Sequence, residues 1–426
     1  MKAIIFILGV LFVTNSNAQK FDCASKITEY QALFKAKKVK ESFDVWSDVS
    51  KNCPKENEVV YTDGIQILQY KIDNAASSEE KEKLVRDVLK VYDQYHKNYP
   101  LTTQDFEVKK AMAIYNNTVK ADQQLEEIFG LLDNGFSNAS KSITDANAIY
   151  IYFSIYSEKF KSGDKKITAN SVLEKYALVT SLLIQLQSSK QENKDYKTAQ
   201  RAIDSLIKDI ATCENLNAFY TKNYVENQEN IDWITSALIS LSGKCSNKPV
   251  FITMAEKLYS IKATALSANF MALANLKQRK FPEAIKFYNE SAELQTNPIE
   301  KAKIYYTLAT GLLANDLPKS KEYLNKALAS DPKMGKAYLF LAQLYANSAN
   351  DCGKTDFEKK AVYYLAIQTT QKAGIAEPRL KPTAEKMVKN FEAKSVTAGE
   401  ISKAKMNGKS LTIGCWINET ITFPAK

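Results

Sequence analysis

The stretch FMALANLKQRKFPEAIKFYNESAELQTNP, residues 270–298, is followed by YYTLATGLLANDLPKSKEYLNKALASDP, residues 305–332, and the two share one pattern. Each contains two apolar segments with small residues at matching places, and each ends in an Asn-Pro or Asp-Pro pair. The closing prolines, Pro298 and Pro332, are 34 positions apart, and a third copy opens near Tyr338. Proline cannot continue a helix and restrains the residue before it, so each proline marks the end of one repeat.

Small residues occupy the positions where the two helices of each repeat cross. Ala272, Ala309 and Ala342 stand at these positions, and a larger side chain there would hold the helices apart. The pattern resembles the tetratricopeptide repeat (TPR), whose period is about 34 residues. Such a repeat cannot bury its apolar face alone, so neighbouring repeats stack into a solenoid with a concave surface. The sequence therefore predicts an all-α fold, a TPR or TPR-like helical-hairpin solenoid.

The amino terminus has the pattern of a secretory signal peptide, residues 1–18. A lysine precedes an apolar stretch at 3–13, and small residues lead to a cleavage position after Ala18. The apolar stretch is too short to span a bilayer as a lasting helix, so no transmembrane segment is expected after its removal. Cys23 raises the alternative of a lipid anchor, but the residues at 20–22 are large or charged where a lipoprotein signal has small ones. We therefore expect an exported protein that is not a lipoprotein.

Composition excludes other classes of fold and partner. Only 13 glycines and 10 prolines occur in 426 residues, which suits continuous helices better than a turn-rich β protein. The net charge of +10 comes almost wholly from lysine, which alternates with acidic residues as on a solvated helix face. Nucleic-acid surfaces favour arginine for its planar, forked guanidinium, so we expect no nucleic-acid partner.

Six cysteines follow the predicted cleavage site, and export places them in an oxidising compartment. No Cys-x-x-Cys motif occurs and His96 is the single histidine, so we expect no metal site. A helical hairpin brings the start of its first helix beside the end of its second, where Cys23 and Cys53 lie. A second cysteine pair flanks a later hairpin in the same way, and elimination leaves the third. The predicted disulfides are Cys23–Cys53, Cys213–Cys245 and Cys352–Cys415.

The chain divides into segments of different repeat quality. The hairpin at the start is a divergent TPR, because Ser42, Trp46 and Val49 have the spacing of Ser320, Leu324 and Ala327. The polar stretch 135–145 is the predicted internal break, and alternation at 410–414 and 420–423 predicts a C-terminal β-hairpin. The predicted segments are a signal peptide at 1–18, N-terminal TPR-like hairpins at 19–134, a degenerate TPR-like helical region at 135–260, three near-consensus TPR motifs at 261–347, and capping helices with the β-hairpin tail at 348–426.

Three stretches resemble a family of exported TPR proteins of bacteria with a Bacteroidetes-type envelope. They are NCPKENEVVYTDGIQILQYKID at 52–73, CGKTDFEKKAVYYLAIQ at 352–368 and SLTIGCWINETITF at 410–423. The resemblance covers essentially the whole mature chain, although residues 105–200 have no family landmark. It implies a helical solenoid in the cell envelope, periplasmic or associated with the outer membrane, and it brings no biochemical activity, cofactor or catalytic residue.

No motif in the chain predicts catalysis. His96 has no signalled acidic or thiol partner and suits a surface or helix-cap role. The Cys415-Trp416 pair resembles the nucleophile dipeptide of papain-like proteases, but those need a downstream histidine and only ten residues follow. Gly408-Lys409-Ser410 lacks the earlier glycine and the following helix of a phosphate-binding loop. We therefore expect neither an enzyme nor a cofactor.

The concave face of the three repeats is the predicted binding surface. Lys303 and Lys336 suit an acidic segment or carboxylate, or equally are ordinary solvated charges. The leading hypothesis is a non-catalytic scaffold that binds a protein or peptide of the cell envelope. The alternative is a glycan-binding component of an outer-membrane uptake system, although the chain has only three tryptophans and no long insertions. The residues predicted to face the groove are Asn269, Leu273, Lys303, Tyr306, Thr310, Lys336, Leu339 and Gln343.

Overall fold

A computed structural model describes residues 21–118, 121–189, 194–243 and 245–425 of the chain. The predicted signal peptide lies outside these ranges. Contacts between Cα atoms divide the chain into two compact units, of which the first ends at Lys208 and the second begins at Asp209. The division falls inside the predicted segment 135–260. Both units are built from paired α-helices, and the described strands form one small C-terminal sheet, which confirms the predicted fold class.

The helices of the first unit are α1 Cys23–Lys35, α2 Val39–Asn52, α3 Val59–Asp73, α4 Ser78–Asn98, α5 Phe106–Asn117, α6 Asp122–Ala139, α7 Ala146–Lys161, α8 Ala169–Ser189 and α9 Lys194–Leu206. Those of the second unit are α10 Cys213–Asn227, α11 Ile231–Ser242, α12 Pro249–Ile261, α13 Ala265–Lys277, α14 Phe281–Leu294, α15 Pro298–Thr310, α16 Leu317–Ser330, α17 Gly335–Asn347, α18 Ala349–Cys352, α19 Asp356–Ala376, α20 Lys381–Glu392 and α21 Ala398–Lys403. The strands are β1 Ser410–Ile413 and β2 Glu419–Thr422.

The first hairpin, α1 with α2, repeats a hydrogen bond found in the hairpin of α15 with α16. The buried Ser42 hydroxyl donates to the carbonyl oxygen of Tyr30 at 2.8 Å. The buried Ser320 hydroxyl donates in the same way to the carbonyl oxygen of Ala309 at 3.0 Å. In both hairpins, therefore, a serine of the second helix satisfies a carbonyl of the first. The shared bond gives a physical basis for the sequence match between the two hairpins.

A glycine explains how α3 packs against this first hairpin. The Trp46 indole is buried, and its Nε1–H donates to the carbonyl oxygen of Val60 at 2.7 Å. A Cβ atom on Gly64 of α3 would overlap the same indole ring. The glycine thus provides the space in which a large aromatic side chain joins α2 to α3.

The predicted break at 135–145 is only partly present. Helix α6 continues through Gly135 to Ala139, and a short 3-10 turn, Ser140–Ser142, leads towards α7. A Cβ on Gly135 would stand 2.6 Å from Cγ2 of Val108. This glycine serves the close crossing of α5 and α6. Helix α7 then contacts both α8 and α9, so this region departs from a simple row of hairpins.

The third repeat extends past its predicted end at residue 347. Its first helix, α17, packs against α19, and the short helix α18 with Cys352 stands between them. A capping box begins α19: the Thr355 hydroxyl accepts from the Glu358 amide, and the Glu358 carboxylate accepts from the Thr355 amide. The helix assigned to a cap is therefore the second helix of the third hairpin.

The C-terminal β-hairpin folds onto the second unit. Strands β1 and β2 pair antiparallel, with Leu411 opposite Ile421, and an isolated hairpin of this size is marginal in water. Lys321 of α16 forms a 2.6 Å ion pair with Glu419, and Trp416 donates from Nε1 to the Ser348 hydroxyl at 3.2 Å. The side chains that the tail buries in the core are Ile413, Ile417, Ile421 and Phe423.

Three disulfides join the ends of helical elements. The Cα–Cα distances are 5.9 Å for Cys23–Cys53, 5.3 Å for Cys213–Cys245 and 5.2 Å for Cys352–Cys415. These distances are ordinary for disulfides. The third bond fastens the tail beside α18.

Across the described ranges, no helix combines the length and apolar character needed to cross a membrane.

Candidate binding groove

Three first helices, α13, α15 and α17, carry the predicted groove residues. Local signals determine where they begin: Thr264 forms a capping box before α13, and the Asn297 side chain accepts from two amides at the start of α15. Ala272, Ala309 and Ala342 are fully buried, which fits their predicted role at close helix crossings.

A groove of about 370 Å³ lies between α13, the end of α14 and α15. Asn269 and Lys303, both predicted from the sequence, line it together. Tyr288 and Ser291 form its buried floor, where the Ser291 hydroxyl donates to the carbonyl oxygen of Ala265 at 2.6 Å. Burial raises the pKa of Tyr288 above its ordinary value. A neutral floor below polar walls suits a segment that offers both apolar and hydrogen-bonding groups.

The positive charge of Lys303 has a local partner. Its Nζ lies 2.6 Å from Oε1 of Glu300, one turn earlier on α15, and both side chains are about half exposed. An exposed pair of this kind contributes only about 0–1 kcal/mol to stability. A carboxylate from a bound segment can therefore replace Glu300 at the lysine with little cost to the fold.

Tyr306 and Lys336 join α15 to α17. The Lys336 ammonium lies 4.2 Å from the centroid of the Tyr306 ring, and that ring makes an edge contact with Phe340 at 6.5 Å. Burial raises the pKa of Tyr306, so its phenol stays neutral at ordinary pH. The Thr310 hydroxyl donates to the carbonyl oxygen of Tyr306 at 2.9 Å, which leaves that hydroxyl occupied inside the helix.

The remaining predicted residues do not line the 370 Å³ groove. Leu273 and Leu339 are partly buried, and exposed Gln343 donates from Nε2 to Oδ1 of Asn347 at 2.7 Å. The structure therefore brings together Asn269 with Lys303, and separately Tyr306 with Lys336. The groove residues that the sequence analysis missed are Ala265, Leu266, Tyr288, Ser291, Gln295, Glu300, Ile304 and Thr307.

His96, the single histidine, has a structural role at the end of α4. Its ring stacks on Phe106 with centroids 3.9 Å apart. Its Nδ1 lies 3.1 Å from the carbonyl oxygen of Thr103 and 3.0 Å from the hydroxyl of the same residue. Within the part of the chain that the structure describes, no cluster of three or more His, Cys, Asp or Glu side chains could hold a metal ion.

Comparisons with known proteins leave the family open. No protein-family model matches the chain, and no curated protein matches it. Among solved structures, yeast Tom70 is 14% identical, with 90% of this chain and 82% of that chain covered and a TM-score of 0.24. The TPR domain of P58(IPK) is 11% identical, with 88% of this chain and 98% of that chain covered and a TM-score of 0.26. These TM-scores are too low to indicate a shared fold, so the fold assignment rests on the helical hairpins themselves.

Proposed function

We propose that this chain is a non-catalytic scaffold of the bacterial cell envelope that binds a peptide or protein segment along α13, α15 and α17. The observation that carries the proposal is the continuity of this face. The groove at Asn269 and Lys303 and the pair of Tyr306 and Lys336 share α15, three residues apart. One bound segment can therefore contact both.

The chemistry of the face favours a segment with a carboxylate and an apolar side chain. Lys303 and Lys336 supply two ammonium groups, of which the first has only an exposed, weak partner. Leu266 and Ile304 offer apolar surface beside them, and Leu266 is 43% exposed. A partner segment whose carboxylate takes the place of Glu300 as the ion-pair partner of Lys303, and whose apolar side chain covers Leu266, would gain both charge pairing and apolar burial.

The envelope location rests on two features of the chain. Residues 1–18 have the charge, apolar stretch and cleavage position of a signal peptide. The six cysteines form three disulfides, which form and persist in oxidising compartments such as the periplasm. Together they support an exported protein, in the periplasm or associated with the outer membrane.

The tryptophans give no support to the glycan-binding alternative. Trp46 and Trp233 are buried, and Trp416 packs against Tyr345 and donates to Ser348. None of the three lies in the groove, so no exposed indole offers a sugar platform there. A protein or peptide segment remains the partner that this face suits best.

Charge reversal in the groove tests the proposal, with envelope proteins captured by the purified protein. We expect the double variant Lys303→Glu with Lys336→Glu to lose the captured partner. The matched control is Lys319→Glu with Lys326→Glu on α16, because Lys319 has an exposed partner in Asp316 and Lys326 lies 4.4 Å from the Tyr323 ring. The control changes the net charge equally and should leave capture intact. Equal capture by both double variants would contradict the groove assignment.

Tyr306→Ala provides an independent test that leaves the net charge unchanged. It removes the ring that holds Lys336 and the contact area that the ring offers. We expect weaker capture. Because both lysines remain, the size of this loss should vary less with salt concentration than the loss caused by the charge reversal.

A further inference from the structure

A second groove, of about 580 Å³, lies between the second half of α19 and α20. The apolar residues that line it are Gly374, Ile375, Ala384 and Val388. Ile375 is 81% exposed, so its apolar surface lies open beside the groove. The charged residues on its rim are Lys381, Glu385, Lys389 and Glu392.

The course of the chain leaves this groove open. Earlier hairpins of the second unit are each followed by another helix, as α15 follows α14 and α17 follows α16. After α20 the chain turns back, and α21 reaches the start of α19, where Glu400 pairs with Lys360. The principal contacts of α20 are with α19 and the short turn Pro378–Leu380. The face on which a further helix would stack is therefore uncovered by the described residues.

The charged rim of this groove is complementary to the same rim on a second copy of the chain. Lys381, Glu385, Lys389 and Glu392 are all exposed, and none forms an ion pair within the described chain. In an antiparallel pairing of α20 with α20 of a second copy, Lys381 faces Glu392 of that copy and Glu385 faces its Lys389. Along the helix, the point midway between residues 381 and 392 falls between Lys386 and Met387. The point midway between residues 385 and 389 falls on Met387. At a rise of about 1.5 Å per residue the two centres coincide within about 1 Å.

One two-fold axis on the groove side of α20, at the level of residue 387 along the helix, therefore satisfies both kinds of pair at once. Because a two-fold contact uses the same patch on both copies, each pair occurs twice and four ion pairs form. The same arrangement lets Ile375 of each copy approach the apolar residues that line the groove of the other. We propose that this groove is a self-association surface, where two copies of the chain pair through antiparallel α20 helices.

The alternation of charge favours a second copy over an anionic lipid surface. Lipid headgroups attract clusters of lysine and arginine, whereas the two glutamates here would face the same headgroups. An interface limited to α20 and the end of α19 is small, so we expect a weak, reversible dimer. The proposal is independent of the groove on α13, α15 and α17.

Sedimentation equilibrium of the purified, oxidised protein tests the proposal. The wild-type chain should dimerise reversibly. Glu385→Lys and Lys389→Glu should each weaken dimerisation at least tenfold, because each places like charges opposite one another at both symmetry-related positions. The matched control is Lys386→Glu, an exposed lysine of α20 outside the groove, which should leave the dissociation constant unchanged.

A mixture of the two variants separates pairing from misfolding. When Glu385→Lys meets Lys389→Glu, opposite charges face each other again at both positions, so the mixture should form heterodimers at concentrations where each variant alone is mostly monomeric. A wild-type chain that is monomeric at hundreds of micromolar would overturn the proposal. So would a dimer that ignores both variants, or binding of these residues to vesicles of anionic lipid in place of a second copy.

Discussion

Replacing Gly64 of α3 by alanine sets helix propensity against packing. Alanine is favoured over glycine by about 1 kcal/mol inside a helix. A Cβ at this position would overlap the buried Trp46 indole. Overpacking of this kind costs about 1–3 kcal/mol. Moving the indole also weakens its 2.7 Å hydrogen bond to Val60, worth about 1 kcal/mol. We expect Gly64→Ala to destabilise the contact of α2 with α3 by about 2 kcal/mol.

Gly130→Ala is the matched control. Gly130 is exposed within α6 of the same unit, and nothing lies within 4 Å of where its Cβ would be. Helix propensity then acts alone, so the substitution should stabilise α6 by about 1 kcal/mol. The two substitutions are chemically identical, and the structure predicts opposite signs.

Hydrogen exchange measured by mass spectrometry reads each effect locally. Since each 1.4 kcal/mol is a factor of ten, amides of α2 and α3 should exchange about thirtyfold faster in Gly64→Ala. Amides of α6 should exchange about fivefold more slowly in Gly130→Ala. If Gly64→Ala slows exchange as Gly130→Ala does, the packing of Trp46 against α3 is wrong.

Three further predictions concern single contacts. Ser320→Ala should destabilise the second unit by about 1–3 kcal/mol in urea, because it leaves the Ala309 carbonyl without its hydrogen bond. Ser330→Ala, which removes a solvent-exposed hydrogen bond, should change stability little. The hydrogen bond from Lys360, with those from Thr397, lowers the pKa of Glu400 from its ordinary 4.5 to about 2. Its contribution to stability is therefore present above pH 4.5 and lost as the pH falls through about 2, so its NMR carboxyl titration should have its midpoint near 2 and move up in Lys360→Ala. Non-reducing peptide mapping should find no free thiol and the pairs Cys23–Cys53, Cys213–Cys245 and Cys352–Cys415.

The repeat pattern predicted the fold because its spacing reports helix contacts directly. Ser42 and Ser320 occupy matching positions, and both donate to a carbonyl of the preceding helix. The C-terminal β-hairpin was also predicted from the sequence, since the alternation of β-branched residues corresponds to β1 and β2. Where a residue's role depends on its neighbour in the same hairpin, the sequence was informative.

Roles that depend on distant neighbours were harder to predict. Gly135 begins the stretch predicted as a break, yet it lies inside α6, where Val108 of α5 approaches it closely. Part of the groove was missed for a similar reason. Glu300 precedes Lys303 by one turn, which the sequence shows, but Leu266 joins them only when α13 packs beside α15. The sequence did not predict the apolar groove of α19 and α20. This groove is exposed because the chain turns back after α20, and the sequence pattern does not show that turn.

Site-specific photo-crosslinking in the native envelope tests the central claim most directly. A photoreactive residue at Thr307 or Gln343, both exposed on the first helices, should form a crosslink to one discrete envelope protein. The same residue at Asn325, exposed on α16 outside the groove, should form none. Lys303→Glu with Lys336→Glu should abolish the crosslink from Thr307. Crosslinks of equal yield at Asn325 and Thr307, or none at Thr307 and Gln343, would contradict a scaffold that binds through α13, α15 and α17.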